Sequence, residues 1–193
     1  IADASEDDDI LDHTDVLPGD DFDGDGRDNE TEYLEETDPI LTNIPLAPGW
    51  NLIALPRQPE EGEDGVATLF PDASPQNAWI LAGVPEAPEP YVTTDTLDGL
   101  QPAWISWGGE EGSVSPGGTP LWDTSITLDP GWNLVAFPRA VPFPSDAPVD
   151  KTIWRWSPQL GRYVKVRAPD NDGRLLTGYG YWIFAYEEVV IVP

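Results

Sequence analysis

The sequence predicts a mainly β protein in which two duplicated antiparallel β subdomains, sandwich-like or small barrels, follow an acidic N-terminal segment of a different kind. Beyond that segment, the apolar residues occur in short runs separated by proline and glycine, which is typical of short strands joined by tight turns. One run also recurs: residues 46–57 read LAPGWNLIALPR and residues 128–139 read LDPGWNLVAFPR, with nine of twelve positions identical. We therefore expect three parts, which are residues 1–43, 44–126 and 127–193.

The N-terminal segment differs from the rest in charge. Residues 1–40 hold 17 acidic residues and one basic residue, residues 41–126 hold 12 and one, and residues 127–193 hold seven of each. An Asp-rich segment with few large apolar residues cannot offset its ordering entropy by burial, so we expect it to fold around a cation. The formal charge of the whole chain is −27, which repels phosphates and makes nucleic acid an unsuitable partner.

Residues 21–32 read DFDGDGRDNETE and have the spacing of an EF-hand calcium loop. Ca²⁺ prefers six to eight oxygen ligands at about 2.3 to 2.6 Å, and alternate residues of a tight loop turn their carboxylates inward. Gly26, at loop position 6, allows the sharp turn. The expected ligands at positions 1, 3, 5, 7, 9 and 12 are Asp21, Asp23, Asp25, the backbone carbonyl of Arg27, Asn29 and the bidentate carboxylate of Glu32. The alternative is a solvated acidic surface.

The stretch DFDGDGRDNETEYLEETDP resembles the calcium repeats of thrombospondin type 3 and of dockerins, and the preceding residues 6–18 resemble an upstream repeat of the same kind. This first loop departs from the family pattern at Ala4 and Asp9, so a second ion is either absent or bound in a shifted register through Asp3 or Asp7. The resemblance implies a secreted or cell-surface protein whose acidic segment is stiffened by calcium. In the upstream repeat the ligands would be Glu6, Asp8, Asp12 and Asp15.

Each β unit begins in the same way. Pro48-Gly49 and Pro130-Gly131 predict tight turns in which glycine takes a positive φ. The strands that follow are apolar at nearly every position, which predicts burial on both faces. Asn51 and Asn133 interrupt them, and we expect each side chain to hydrogen-bond to the preceding turn. In the first unit, residues 65–70 predict a short helix before a proline.

The two units stay in step further along the chain. Trp79 matches Trp154, Tyr91 matches Tyr163, and the triplet AWI at 103–105 matches YWI at 181–183. Residues that recur at matched positions are typical of a duplicated core, so we expect the matched tryptophans to pack inside the protein. These are Trp50, Trp79, Trp132 and Trp154. We expect the two units to pack side by side with a pseudo-twofold relation.

The pattern GWNLIALP…W…YV…YWIFA resembles a GWNL-type β repeat of large secreted or surface-attached bacterial proteins, where it often stands beside thrombospondin-like calcium repeats. Such repeats generally lack an assigned biochemical activity. Trp156 has no aromatic counterpart in the first unit and faces the same side of its strand as Trp154. With the basic residues Arg155, Arg162 and Lys165 it would form a surface for an anionic or neutral glycan. The alternative is that Trp156 packs inside and the basic residues solvate the strand.

Several kinds of chemistry are excluded by the residues present. The chain has no Cys and no Met, so it has no disulfide, thiolate metal site or cysteine nucleophile. The neighbouring acids Glu110-Glu111 and Glu187-Glu188 would point to opposite faces of a strand and do not converge on one bond. No apolar run approaches the ~20 residues that span a bilayer, so we expect no membrane insertion.

The sequence therefore predicts a non-catalytic, calcium-stabilised extracellular or cell-surface module for surface attachment, assembly or partner docking. The alternative function is a carbohydrate-binding module of a secreted multidomain protein. The partner would be a surface protein or a polysaccharide, and self-assembly of the chain is a further option.

Overall fold

The computed structural model describes residues 43–75, 77–82, 90–122, 124–167 and 173–192. Within these ranges the protein is mainly β, with antiparallel sheets and one short helix. The predicted fold class of duplicated antiparallel units is confirmed, and since no closed barrel occurs in the described ranges, the sandwich-like alternative holds. Both predicted calcium loops, residues 6–18 and 21–32, lie outside the described residues.

Strands β1 to β8 form repeat one and strands β9 to β16 form repeat two. Repeat one contains β1 (Ile44–Leu46), β2 (Gly49–Ile53), β3 (Arg57–Gln58), helix α1 (Val66–Leu69), β4 (Ala78–Leu81), β5 (Tyr91–Thr94), β6 (Ala103–Trp107), β7 (Gly112–Val114) and β8 (Thr119–Pro120). Repeat two contains β9 (Ile126–Leu128), β10 (Gly131–Val135), β11 (Val141–Pro142), β12 (Ile153–Ser157), β13 (Arg162–Val166), β14 (Arg174–Leu175), β15 (Tyr181–Ala185) and β16 (Val189–Ile191). The short helix predicted within residues 65–70 is confirmed.

The two repeats share one topology. Each has a four-stranded antiparallel sheet, in the order β2-β6-β4-β5 in repeat one and β10-β15-β12-β13 in repeat two. The register is also the same, because Leu52 pairs with Trp104 in the first sheet and Leu134 pairs with Trp182 in the second. A two-stranded ladder accompanies each sheet at matched positions, β1 with β7 and β9 with β16. The duplication seen in the sequence is therefore a duplication of structure.

The turn before each first sheet strand is held by an asparagine. Gly49 and Gly131 adopt φ values of 96° and 109°, as the turn requires. Asn51 Nδ2 donates to the carbonyl oxygens of Ala47 (2.8 Å) and Gly49 (2.9 Å), and Asn51 Oδ1 accepts from the Ala47 N–H (3.0 Å). Asn133 makes the same three bonds to residues 129 and 131. The predicted role of both asparagines is confirmed.

Each repeat has its own apolar core beneath its sheet. In repeat one the inner-face residues Ile53 and Ile105 pack with Val66 and Phe70 from the helical segment. In repeat two the inner face packs around Phe137 and other buried residues of the same repeat. Because the inner faces are filled in this way, each repeat is stabilised mainly by its own residues.

The repeats meet along the edge of β2. Tyr179 of repeat two forms an antiparallel bridge with Ile53, and the Ala54 N–H donates to the Gly178 oxygen at 3.2 Å. The Gly180 N–H donates to the Leu52 oxygen at 3.3 Å. A twofold relation would place a reciprocal set of bonds on β10, and the described residues contain none. The expected pseudo-twofold relation is therefore wrong, and the repeats are arranged head to tail.

Candidate functional site

The outer face of the repeat-one sheet carries a cluster of aromatic rings. Successive side chains of a strand point to opposite faces of the sheet, so a residue next to an inward-facing residue points away from the core. Four of these outer residues, one from each strand of the sheet, line a cavity of about 470 Å³ together with one ring from repeat two. We call this surface face one, and its residues are Trp50, Trp79, Tyr91, Trp104 and Trp156.

The outer face of the repeat-two sheet carries the matching cluster. Its rings line a cavity of about 410 Å³. We call this surface face two, and its residues are Trp132, Trp154, Tyr163 and Trp182. Each of the four occupies the same strand and register as a residue of face one, because Trp79 pairs with Trp104 as Trp154 pairs with Trp182. The aromatic face is therefore a repeated feature of the fold.

The matched tryptophans are not core residues, and the prediction that they pack inside is wrong. Trp50, Trp79 and Trp132 are 46%, 41% and 41% exposed, and Trp154 is half-buried on face two. The strands were expected to be buried on both faces because they are apolar at nearly every position. At the centre of each sheet the structure separates aliphatic residues, which face inward, from aromatic residues, which face outward; Trp107 and Tyr181 are exceptions that pack in the cores. The alternation, visible in AWI at residues 103–105, is the signal that could have located the faces.

Edge-to-face contacts hold the rings in place. The Trp132 ring is 5.4 Å from that of Phe184 and 6.4 Å from that of Trp182, with interplanar angles of 76° and 84°. Trp182 Nε1 donates to the Tyr163 hydroxyl at 3.1 Å. Burial raises the pKa of Tyr163 above its usual value, so this phenol is neutral at physiological pH. The rings of face two are thus neutral and fix one another.

Trp156 belongs to face one although it comes from repeat two. Its indole N–H donates to the Trp50 carbonyl oxygen at 2.7 Å, and its ring lies 4.9 Å from the Trp104 ring at 79°. Trp156 does face the same side of β12 as Trp154, as expected, but the two rings line different cavities. Trp156 is therefore a contact between the repeats as well as a wall of the cavity.

The basic residues of repeat two do not gather at one place. Lys165 Nζ lies 5.2 Å from the centre of the Trp154 ring, beside face two. The Arg155 guanidinium lies 4.4 Å above the Tyr179 ring instead. Arg155 and Arg162 alternate with the outer-face residues of β12 and β13, so their side chains leave from the other side of the sheet. Of the predicted glycan-contacting set, Trp156 and Lys165 border an aromatic face, whereas Arg155 and Arg162 lie on the other side of their strands.

Trp107, whose equivalent in repeat two is Ala185, has a structural role. Trp107 is buried in the repeat-one core, and its indole N–H donates to the Glu110 carbonyl oxygen at 2.8 Å. Within the described ranges, no three His, Asp or Glu side chains come together as a metal site, and no helix is long and apolar enough to cross a membrane.

Comparison with known proteins leaves these faces without a counterpart. No protein-family model, curated protein or solved structure matches the chain. The resemblances to thrombospondin type 3 and GWNL-type repeats stay predictions from the sequence.

Proposed function

We propose that the chain is a non-catalytic docking module of the cell surface, in which each β repeat presents one aromatic face to a partner and Ca²⁺ keeps the acidic N-terminal segment folded. The observation that carries the proposal is the repetition of four outward-facing aromatic positions in both repeats, three of whose rings are exposed. A pair of matched faces that the cores do not require is typical of a binding surface.

The exposed rings can supply substantial binding energy. Burying an exposed area of about 100 Å² on one tryptophan contributes about 2.5 kcal/mol. Trp50, Trp79 and Trp132 are between 41% and 46% exposed. For a side chain of this size, that fraction corresponds to an exposed area of about 100 Å². The rings are already held by edge-to-face contacts, so little conformational entropy is lost when a partner docks.

The same walls give little support to catalysis. General acid–base chemistry requires a titratable group within hydrogen-bond distance of the reacting atoms. The cavity walls are indole and phenol rings, and the pKa of Tyr163 is raised by burial. Binding is therefore the activity that these surfaces support best.

A peptide selection tests the docking function. A displayed library of random peptides is selected on the immobilised chain, and the enriched peptides are measured against Trp79→Ala, Trp154→Ala and their double variant. The expected result is a loss of affinity of about tenfold for each face removed. The control is Val190→Ala on β16, which removes an exposed apolar side chain outside both aromatic faces. If the enriched peptides bind all four variants equally, the aromatic faces are not the docking sites.

Carbohydrate binding is the second candidate function. The observation that favours it is the Lys165 ammonium 5.2 Å over the Trp154 ring, because a sugar can stack its apolar face on an indole of face two while its hydroxyls reach a nearby polar group. A glycan array measures this directly. Hits that disappear in Trp154→Ala, and persist in Val190→Ala, establish a glycan as the partner. An array without such hits rejects this candidate and leaves peptide docking.

Calcium binding is tested separately at the predicted loop of residues 21–32. We expect titration calorimetry to detect at least one site, and chelation to lower the melting temperature because the ion binds the folded state. Asp23→Ala should weaken binding strongly, since Asp23 stands at ligand position 3. Asp28→Ala is the matched control, because it removes the same charge at position 8, where the loop uses no ligand. Equal effects of the two substitutions would show that only overall charge matters.

A further inference from the structure

The first strands of the two sheets have the same sequence pattern but different surroundings. Asn51, Leu52 and Ile53 of β2 are at most 3% exposed. The equivalent residues of β10, which are Asn133, Leu134 and Val135, are only half-buried. Both strands lie at the edge of their sheets. The edge of β2 is covered by repeat two, whereas β10 has no strand or bridge partner besides β15 among the described residues.

Three hydrogen bonds cover the β2 edge, and repeat two carries the equivalent atoms along β10. Repeat two bonds to the Trp50 oxygen, the Leu52 oxygen and the Ala54 N–H. The matched register makes the corresponding atoms the oxygens of Trp132 and Leu134 and the N–H of residue 136. No hydrogen bond to these three atoms from a described residue outside β15 is seen. Trp132 is exposed and Leu134 is half-buried, whereas Ala136 is 1% exposed, so the two carbonyl oxygens are the accessible part of this copy of the repeat-one edge.

The two aromatic faces also differ in whether the other repeat contributes a ring to them. Face one is completed by Trp156, whose ring packs edge-on against Trp104 and forms a fifth wall. Face two has four walls, all from its own repeat. The ring that packs edge-on against Trp182 is Trp132 of the same repeat, 6.4 Å away, and no ring of another repeat lines face two in the described residues. Face two thus lacks the one wall that a neighbouring repeat provides on face one.

We propose that the β10 edge and face two together form the acceptor for a further β repeat of the same type, presented by another polypeptide chain. The donor would place a tryptophan against Trp182 and a Gly-X-Gly segment along β10, as Trp156 and residues 178–180 do within this chain. The inference rests on the proposed docking function and names its partner. The contact between the two repeats of this chain is the template, because it shows how the donor residues of one repeat bind the acceptor strand of another.

The donor chemistry is restrictive, and repeat one does not have it. The strand register makes Leu81 the equivalent of Trp156 and Pro102 the equivalent of Gly180. Leucine has no indole N–H, and proline has no N–H to donate to the acceptor strand. A Cβ at position 180 would also lie 2.8 Å from Leu52 Cγ. The partner must therefore carry glycine and tryptophan at these two positions, which excludes repeat one of a second copy as the natural donor.

Two substitutions should convert repeat one into a donor. The backbone already has the required shape, since Leu100 adopts a φ of 59° where its equivalent Gly178 adopts 78°. In the Leu81→Trp, Pro102→Gly double variant we expect concentration-dependent association by sedimentation velocity, at least about tenfold tighter than in the parent chain. Adding Trp182→Ala should abolish the gain, and adding Val190→Ala should not. A folded double variant that stays as monomeric as the parent overturns the proposal.

A peptide experiment on the unmodified chain gives an independent answer if the variant does not fold. The peptide LTGYGYW, which reproduces residues 176–182, is titrated into the labelled chain, with LTGYPYW as the control. We expect LTGYGYW to change the amide chemical shifts of residues 134 and 136, and LTGYPYW to leave them unchanged. If neither peptide shifts these amides, the acceptor assignment is wrong, even where the aromatic faces still bind the ligands selected above. That outcome would leave the docking function standing.

Discussion

The turn residues Asn51 and Asn133 make the same hydrogen bonds, but the turn of Asn51 is buried and the turn of Asn133 is accessible to water. Replacing each asparagine therefore removes the same bonds in two different environments. Asn51→Ala and Asn133→Ala each remove three hydrogen bonds to the preceding turn. Asn51 is 2% exposed and Ala47, its main partner, is 4% exposed. In repeat two, Asn133 is half-buried and its main partner Asp129 is exposed. The two substitutions therefore differ in whether water can replace the lost bonds.

The expected costs follow from that difference. In repeat one the N–H and the carbonyl oxygen of Ala47 stay buried without a partner, and each such group costs about 1 to 3 kcal/mol, so we expect about 3 to 4 kcal/mol in total. In repeat two water takes over both groups of Asp129, and the net loss should be about 1 kcal/mol. The difference of about 2 kcal/mol is a shift of several degrees in melting temperature for a protein of this size.

Urea denaturation followed by tryptophan fluorescence and by circular dichroism measures both costs at constant calcium. Each repeat has its own core, so the two transitions are fitted separately where they separate, and each variant should shift the transition of its own repeat. Equal costs, or a larger cost for Asn133→Ala, would refute the reasoning that solvent access to the turn sets the penalty.

Three other substitutions give separate outcomes. Trp107→Ala removes a buried ring and should cost about 3 to 5 kcal/mol in urea denaturation, whereas Trp79→Ala, at an exposed position, should cost about 1 kcal/mol. Burial raises the pKa of Tyr181 above its usual 10.0, so the stability that this phenol contributes is present below pH 10 and is lost as the pH rises further; Tyr181→Phe should flatten the alkaline limb of a stability profile. The Thr152 backbone N–H lowers the pKa of Asp150 below 3.8, so its contribution is present above that pH and is lost as the pH falls through the lowered pKa; Asp150→Asn should flatten the acid limb.

Local features of this fold can be predicted from the sequence because local chemistry determines them. The turn glycines, the asparagine bonds and the short helix all depend on residues within a few positions of one another. The duplication is visible because nine of twelve residues are identical in the two copies of the first strand region. These features were therefore predicted correctly.

The faces and the arrangement of the repeats were predicted wrongly because they depend on distant parts of the chain. The aliphatic–aromatic alternation is visible at residues 103–105 but not in GWNLI at residues 49–53, so the outward position of Trp50 follows only once β6 and β4 are placed beside β2. The head-to-tail seam depends on Trp156 and Gly180, two positions at which the repeats differ. Average similarity between the copies carries no information about such differences.

Repeat two covers the sheet edge of repeat one, but repeat one does not cover the sheet edge of repeat two. Separating the two repeats therefore exposes different surfaces on each. Cleavage between the repeats would leave the first half with a newly bare strand edge and an uncovered Leu52, which are the features of an aggregation-prone fragment. The second half would lose the acceptor for its own Trp156 but would keep its sheet edge as it already is. A proteolytic fragment that survives in solution should therefore be the C-terminal one.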